Sequence, residues 1–497
     1  MGKLPARHAV LGILVSMVLG ATIVALILLV VKNHTVERPL SSQYGIVIDA
    51  GSTHTALFLY KWPAGKENNT AIVSQVQLCD VDGPGISSYA LDPPGAGQSL
   101  VKCLNELQRV IPAGQWEATP VYLGATAGMR LLKLQNTTQA DQVMKEVSKA
   151  IQRYPFNFRG ARILSGVAEG AYGWITINYL LEGFVKFSFQ GKWLHPVGNN
   201  ILGALDMGGA STQITFVPAG PVQDPQTAAD FRLYGFNYRV YTHSYLCYGK
   251  EQAMKQLQVQ LHKANFSQNI SHPCYHTGFQ LTLTLGDLYN SPCVEKPMPF
   301  DPAAKVTFYG SSDPEKCSQL VQRLFNFSGC SFSPSCSFNG IYQPPVNGNF
   351  FAFSAYFYTF NFLGLAPQAS LSRVNSTIDS FCRRNWPSVK TAYPSEKDKY
   401  LQDYCGSAVY MKALLLDGFN FTQNWNSISF QKKAGDADIG WTLGYMLNLT
   451  NLITSEPLAP ITGIQHGQWA AGIFFIVFAI FLSILLLLIL SVHKTAN

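Results

Sequence analysis

Two short segments of this 497-residue chain carry an acid, glycines and hydroxyls at matching spacing. The first is Asp49-Ala-Gly51-Ser52-Thr53-His54-Thr55 and the second is Asp206-Met-Gly208-Gly209-Ala210-Ser211-Thr212-Gln213. Glycine lets a backbone approach a ligand closely and turn through positive φ. Successive N–H groups in such a turn can converge on one anion, and the hydroxyls of Ser52, Thr53, Ser211 and Thr212 add donors. An aspartate does not bind phosphate itself, but it can hold a divalent cation, directly or through water, that bridges phosphate oxygens. One such turn is commonly an ordinary hairpin. Two of them, 157 residues apart, describe a cleft with a phosphate loop on each wall. A third candidate is Glu169, within Leu164-Ser165-Gly166-Val-Ala-Glu169-Gly170-Ala-Tyr-Gly173-Trp174. A lone carboxylate in a first helical turn is usually a solvated partner of the helix dipole. Beside two phosphate loops it can align and deprotonate an attacking water.

Such turns need rigid flanks. Tyr44 to Ile48 reads as a buried strand before the first turn, and Ala56 to Tyr60 as the strand after it. Ile201 to Leu205 and Ile214 to Phe216 flank the second in the same way, so each turn closes a hairpin. This repeat, at a period of about one domain, points to internal duplication. Val121-Tyr-Leu-Gly-Ala-Thr126-Ala-Gly128-Met-Arg130 ends a strand in small residues before a helix, and the Glu169 segment opens a helix running to about Leu181. Asp436-Ala-Asp438-Ile-Gly440-Trp441-Thr-Leu-Gly444 starts a last helix, with its carboxylates placed as simple caps.

Two uncharged runs bracket these segments: Ala9 to Val31, 23 residues, and Trp469 to Val492, 24 residues. At a rise of about 1.5 Å per residue, either crosses a hydrocarbon layer of roughly 30 Å. The alternative for the first is a cleaved signal peptide, but it exceeds the usual apolar region of roughly 7–15 residues. The alternative for the second is a removed lipid-anchor signal, against which His493 and Lys494 stand as a cytosolic stop. The 437 residues from Lys32 to Gln468 then lie on one side, with room for two domains, each with its own core. All ten cysteines fall there, an even count that reads as a disulfide framework. Nine Asn-x-Ser/Thr sequons fall there too; Asn33 is too near the membrane for glycan transfer, leaving Asn68, Asn136, Asn265, Asn269, Asn326, Asn375, Asn420 and Asn448 as glycosylation candidates. Cysteines and sequons together place the segment outside the cytosol. Lys3, Arg7 and Lys494 put positive charge on the tails, in keeping with a cytosolic side. The net charge of +7 is diffuse, with no long Lys/Arg block, which speaks against nucleic acid. His272-Pro-Cys274-Tyr-His276 has no Cys-x-x-Cys partner for zinc and reads as a disulfide cysteine between surface histidines.

Five segments, in order, resemble the apyrase conserved regions of the ecto-nucleoside triphosphate diphosphohydrolase family, in its two-span cell-surface branch. They are Ile48 to Thr55, Ala125 to Arg130, Ala168 to Trp174, Leu205 to Gln213 and Asp438 to Gly444. The resemblance implies an α/β, two-lobed fold of the actin/Hsp70/hexokinase kind with the active site in the interlobe cleft, plus a transmembrane helix at each end. It divides the chain into a cytosolic tail 1–8, a span 9–31, a stalk 32–44, lobe I over 45–165 and 434–462, lobe II over 166–433, a span 469–492 and a cytosolic tail 493–497. It implies calcium- or magnesium-dependent hydrolysis of nucleoside tri- and diphosphates (ATP, ADP, UTP, UDP) to monophosphates at the plasma membrane, outside the cell, and so a part in purinergic signalling. Glu169 becomes the catalytic base, and Asp49 and Asp206 face the metal through its waters. Ser52, Thr53, His54, Gly208, Gly209, Ala210 and Ser211 line the phosphates, with Thr126, Ala127 and Gln213 counted beside them near the metal or nucleophile. Tyr358 and Tyr404 sandwich the base. By the same analogy the disulfides join Cys79 to Cys103, Cys247 to Cys293, Cys274 to Cys317, Cys330 to Cys336 and Cys382 to Cys405. Relatives often carry arginine near the base where this chain has Lys250 and Tyr400, which bears on base preference rather than on the chemistry.

The residues support the same mechanism, since phosphoryl transfer needs positioning and charge neutralisation more than covalent chemistry. The alternative is a catalytically inactive surface receptor that binds nucleotides; retention of Glu169, both aspartates and both glycine turns argues against it. A transferase on the same fold would need an acceptor pocket, and none is visible in the sequence. An adhesion protein would leave the paired loops unexplained. The expected partners are extracellular nucleotides and the lipid bilayer, with the two spans offering a surface for homo-oligomers.

Overall fold

The computed structural model describes residues 6–30, 34–37, 42–190, 192–196, 201–298, 301–332, 334–435, 437–453, 460–463 and 466–495. Asn33, Asp436, residues 1–5 and 496–497 of the tails, and the side chain of Asn265 lie outside the described residues. The chain forms two compact units, one of residues 42–455 and one made of both chain ends, 1–41 with 456–497.

The unit of the chain ends holds two long helices, Ala6–Val30 and His466–Thr495, where the two uncharged runs predict them. They pack closely: a Cβ added to Gly20 would come within 2.7 Å of the Ala479 Cβ. A strand at His34–Glu37 pairs antiparallel with Pro460–Gly463. Val10, Leu14, Phe474 and Phe481 are exposed on these helices. Among the described residues no helix is long and apolar enough to cross a membrane; in the first helix the described side chains run only from 10 to 26.

Residues 42–455 are built on two mixed sheets. The first contains β1 (Ser42–Ala50), β2 (Thr55–Pro63), β3 (Ser74–Asp80), β4 (Pro120–Ala125) and β5 (Asn157–Ile163) in the order β3-β2-β1-β4-β5. The second contains β6 (Gly203–Met207), β7 (Ser211–Phe216), β8 (Ala228–Leu233), β9 (Phe236–Leu246), β10 (Phe350–Ser354) and β11 (Ile428–Phe430) in the order β8-β9-β7-β6-β10-β11. In both sheets the strand before the Asp turn is central. Its hairpin partner and a third antiparallel strand lie on one side, and two parallel strands on the other. The duplication seen in two turns is therefore a duplication of whole sheets, with β8 as an addition to the second. Central strands covered on both faces read as unbroken apolar runs, as Ile46-Val-Ile48 does, and every residue of β6 and β7 is buried.

Helices α1 (Ala127–Gln135), α2 (Gly166–Leu180), α3 (Lys250–Asn265), α4 (Ala355–Phe362), α5 (Tyr404–Ala413) and α6 (Trp441–Thr450) position the residues discussed below. Each sheet has a core on its outer side, and a third core joins Val47 of β1, Ala204 of β6, Trp174 and Ile175 of α2, and Trp441 and Met446 of α6. Helix α2 is apolar nearly all round, as a helix buried between layers must be. It meets α6 closely at Gly444, where an added Cβ would lie 2.0 Å from the Tyr172 carbonyl, and the Gly444 N–H donates to Thr176 Oγ1 at 2.8 Å.

Five disulfides tie the unit, in the pairs that the resemblance implies: Cys79–Cys103, Cys247–Cys293, Cys274–Cys317, Cys330–Cys336 and Cys382–Cys405. Asn68, Asn136, Asn269, Asn326, Asn375 and Asn420 are exposed, whereas Asn448 is half-buried on α6 beside the Tyr172 hydroxyl. Two local expectations need correction. His272 and His276 are buried rather than on the surface; one stacks on Tyr275 and the other packs on Phe381 and Trp386, so aromatic neighbours hold them in the core. Asp438 does not cap the last helix: it sits in the short strand Ala437–Asp438, paired with Lys433–Ala434, and α6 begins only after Gly440.

Candidate active site

Strands β1 and β4 run parallel, as do β6 and β10, and ligands of open α/β sheets gather at the carboxyl ends of such strands. Asp49 lies at the end of β1 and Asp206 at the end of β6, each followed by its glycine turn. The two turns meet. A Cβ added to Gly209 would lie 2.7 Å from Thr53 Cγ2 and 2.9 Å from Ser52 Oγ. The first turn of α1 closes on the same place: the Thr126 N–H donates to the Ala50 carbonyl at 3.1 Å, and a Cβ on Gly128 would lie 2.8 Å from the Ser52 Cα. Ala127 and Leu131 of α1 pack on Ala210. Ser52, Thr126, Ala127, Gly209 and Ala210 are thus brought into one neighbourhood. Thr53 and His54 form its exposed rim, joined by an Oγ1···Nδ1 contact of 3.2 Å.

Glu169 is buried in the first turn of α2, whose start is set by Ser165, the cap that accepts from the Ala168 N–H. Its Oε2 accepts from Arg130 Nη2 at 2.8 Å and from Gln213 Nε2 at 3.3 Å. Arg130 also donates to the Leu164 carbonyl at 2.9 Å and to Ser211 Oγ at 3.0 Å. Gln213 donates in addition to Ser211 Oγ at 2.7 Å and to Ser244 Oγ at 2.9 Å. The network joins α1 and α2 to strands β7 and β9 of the second sheet and fixes the carboxylate from one side.

Asp49 and Asp206 titrate high because burial penalises their charge and Glu169 adds repulsion; Asp49 is pushed up to about 8 and Asp206 to about 7. Such a cluster of carboxylates calls for positive charge. Among the described residues no three His, Cys, Asp or Glu side chains converge closely enough to hold a metal ion by themselves. The unpaired atoms instead fit a cation held through its waters. Asp49 Oδ1 and Gln213 Oε1 are buried acceptors without partners, and Trp441 Nε1, beside Asp49, is a buried donor without one. Metal-bound waters would donate to the first two.

The surroundings of the two tyrosines expected at the base are more open. Tyr358 of α4 is exposed, with the Lys432 ammonium 5.8 Å from its ring centre. Tyr404 at the start of α5 is half-buried and stacks one face on Phe362 at 3.8 Å. The two tyrosines make no ring contact with each other among the described residues. Lys250, at the start of α3, donates its backbone N–H to the Gly208 carbonyl and holds its ammonium 5.9 Å from the Tyr400 ring. Beside it Asp403 is pushed up to about 6, chiefly by burial.

Arg130, Ser244 and Trp441 escape a reading by motif. Arg130 and Trp441 stand inside recognised segments, but their surroundings come from residues 39 or more positions away: Glu169 accepts from Arg130, and Asp49 lies beside Trp441. The usable signal was an arginine in an otherwise apolar helix start, which needs an acid partner if buried.

A two-lobed α/β fold with an acid-and-glycine turn on each wall and a buried glutamate between them defines a phosphohydrolase. Residues 35–462 match the GDA1/CD39 (nucleoside phosphatase) family, and the chain belongs to that family. It is 52% identical to ectonucleoside triphosphate diphosphohydrolase 8 of Gallus gallus over 95% of this chain and 96% of the relative. It is 50% identical to the Homo sapiens protein of that name over 92% of each, and 46% identical to ectonucleoside triphosphate diphosphohydrolase 2 of Homo sapiens over 96% of each. Crystallised nucleoside triphosphate hydrolases of Neospora caninum share the fold at a TM-score of 0.58 and 16% identity, over 83% of this chain and 93% of theirs. The chain is a nucleoside triphosphate diphosphohydrolase by class, with the isozyme numbered eight among its similar relatives.

Proposed function

We propose that the enzyme hydrolyses nucleoside tri- and diphosphates to monophosphates outside the cell, using calcium or magnesium, and thereby sets the level of extracellular nucleotide signals. The observation that carries this reading is the convergence of Asp49, Asp206 and Glu169, with unpaired buried atoms of Asp49, Gln213 and Trp441 around them. Asp49 and Asp206 would hold the cation through its waters, and the cation would supply charge neutralisation at the phosphate oxygens. The backbone of the Gly51–His54 and Gly208–Ser211 turns receives the terminal phosphates. Arg130 and Gln213 hold Glu169 through Oε2, and Oε1 accepts no hydrogen bond from a described residue. That oxygen aligns a water in line with the scissile P–O bond and takes its proton as attack proceeds. Tyr358 and Tyr404 offer one ring face each to the base, since Phe362 covers the other face of Tyr404.

The two terminal helices are proposed as spans, with both tails cytosolic and residues 32–468 outside. Runs of 23 and 24 uncharged residues and the placement of all ten cysteines between them support this. The spans also offer a homo-oligomer contact. One experiment tests the activity: phosphate release from ATP, ADP, UTP, UDP and AMP by the purified enzyme, with divalent metal and in excess EDTA. Release from every substrate but AMP, abolished by EDTA, is expected. Full activity in EDTA would overturn the metal assignment.

A further inference from the structure

Strand β10 ends at Ser354, and α4 begins at the next residue. Ser354 has φ 57° and ψ −129°, a left-handed-side conformation that strains any residue with a Cβ. Glycine would adopt it freely, so a serine there implies a use for the side chain. By register the serine is a neighbour of Asp206 across the parallel strand pair, where Phe353 lies opposite Asp206 and Ser354 opposite Met207, and its hydroxyl lies beside the Asp206 carboxylate. The helix it launches is fastened to the same turn a second time. The Tyr356 hydroxyl meets Thr212 Oγ1 at 3.2 Å, and Thr212 Oγ1 donates to the Asp206 carbonyl at 2.7 Å. Two residues beyond Tyr356, the same helix carries the exposed Tyr358.

We propose that Ser354 is a positioning residue: its strained turn aims the Asp206 carboxylate into the metal-water space and fixes the span from that carboxylate to Tyr358, hence from cation to base. This rests on the proposed roles of Asp206 and Tyr358. A nucleotide must reach both ends at once, so a turn that sets their separation acts on every substrate alike.

The test uses Ser354→Ala, which removes the hydroxyl and keeps the strain, and Ser354→Gly, which removes both. Partners that orient a metal's ligands typically contribute about 10–100-fold to metal affinity or activity. Here the aspartate itself acts through water, so the lower end applies. Both variants are expected to raise the half-saturating calcium concentration roughly tenfold, in steady-state turnover and in calorimetric calcium binding to the nucleotide-free enzyme. The glycine variant is expected to melt no lower than the alanine variant. Wild-type calcium affinity in both variants would overturn the proposal, as would recovery of affinity in Ser354→Gly alone, which would leave strain as the whole effect. Asp206→Asn in the same titration separates the two levels. If it leaves calcium binding unchanged, the metal role of Asp206 has failed. If it weakens binding while both Ser354 variants do not, only the positioning role has failed.

Discussion

The Asp49 and Asp206 turns share a sequence pattern and a place in duplicated sheets, yet they sit at different depths. After Asp49, Gly51 and Ser52 are half-buried and Thr53 and His54 are exposed. After Asp206, only Gly208 is exposed, and Gly209 through Gln213 are buried. The second turn is also tied down by side chains: Ser211 and Gln213 belong to the Arg130–Glu169 network, and Thr212 braces the Asp206 backbone. Duplicated turns have thus diverged into a rim and an anchor. On the proposed mechanism the anchor would carry the groups held still during water activation, and the exposed rim would be the part free to adjust to the phosphates.

The largest effect should follow removal of the base. Glu169→Gln keeps shape and hydrogen bonding but cannot take a proton, so kcat should fall at least about 10²-fold with nucleotide affinity little changed. Steady-state phosphate release beside a direct binding measurement decides it. Retention of more than about a tenth of wild-type kcat would move the base elsewhere, since general-base catalysis contributes more than that.

The aspartates come next. Asp49→Asn and Asp206→Asn should each lower turnover and raise the metal concentration needed, by about tenfold or more. If rim and anchor differ as described, the Asp206 variant should be the worse of the two at saturating metal, because its carboxylate is held in the buried turn beside Ser354. Equal defects would mean that depth makes no difference to the metal.

Both turns, their strands and the position of Glu169 were legible in the sequence because they are local: an acid, glycines and hydroxyls between two apolar runs. The disulfide pairs were legible only through the resemblance. What was not legible lies between segments. Arg130 reaches Glu169 and Ser211 across separations of 39 and 81 residues, and nothing at position 130 records those partners. Ser354 lies in Phe350-Phe-Ala-Phe-Ser354, which reads as strand, and nothing in that run signals its positive φ. The buried histidines misled for the opposite reason: polarity at 272 and 276 suggested surface, while tertiary packing supplied aromatic neighbours.

A smaller, conditional effect tests the electrostatics of the two turns. Asp49 and Asp206 bind protons more tightly folded than unfolded, with raised values of about 8 and about 7. From their ordinary range up to those values the folded state holds more protons, so stability of the metal-free enzyme should fall as pH rises through that window. Calcium supplies the missing charge and should raise the melting temperature more at about pH 8 than at about pH 5. Asp206→Asn should flatten the metal-free dependence. A melting temperature that rises across that window in EDTA, with no calcium effect at the alkaline end, would sink the coupling.

The finest test sets two adjacent glycines against each other. At Gly208 an added Cβ would meet nothing nearer than the Ser211 carbonyl at 3.6 Å, an ordinary contact. At Gly209 it would meet Thr53 Cγ2 at 2.7 Å and Ser52 Oγ at 2.9 Å, across the junction between anchor and rim. Neither glycine has positive φ, so space rather than backbone strain separates them. Gly209→Ala should push the Ser52–Thr53 rim outward. A misplacement of about 1 Å costs up to about 10²-fold in rate, and since the exposed Thr53 can partly give way, about tenfold in kcat/KM is expected. Gly208→Ala should stay within about twofold, because a Cβ in ordinary contact displaces nothing. Phosphate release from ATP and ADP by the two variants, beside their melting temperatures, checks both. Melting temperatures should be near wild type, since the clash is relieved at an exposed rim. If Gly208→Ala proved as damaging as Gly209→Ala, the added Cβ would be pressing on the phosphate that this backbone receives, and bound substrate rather than the protein would set the space at the turn.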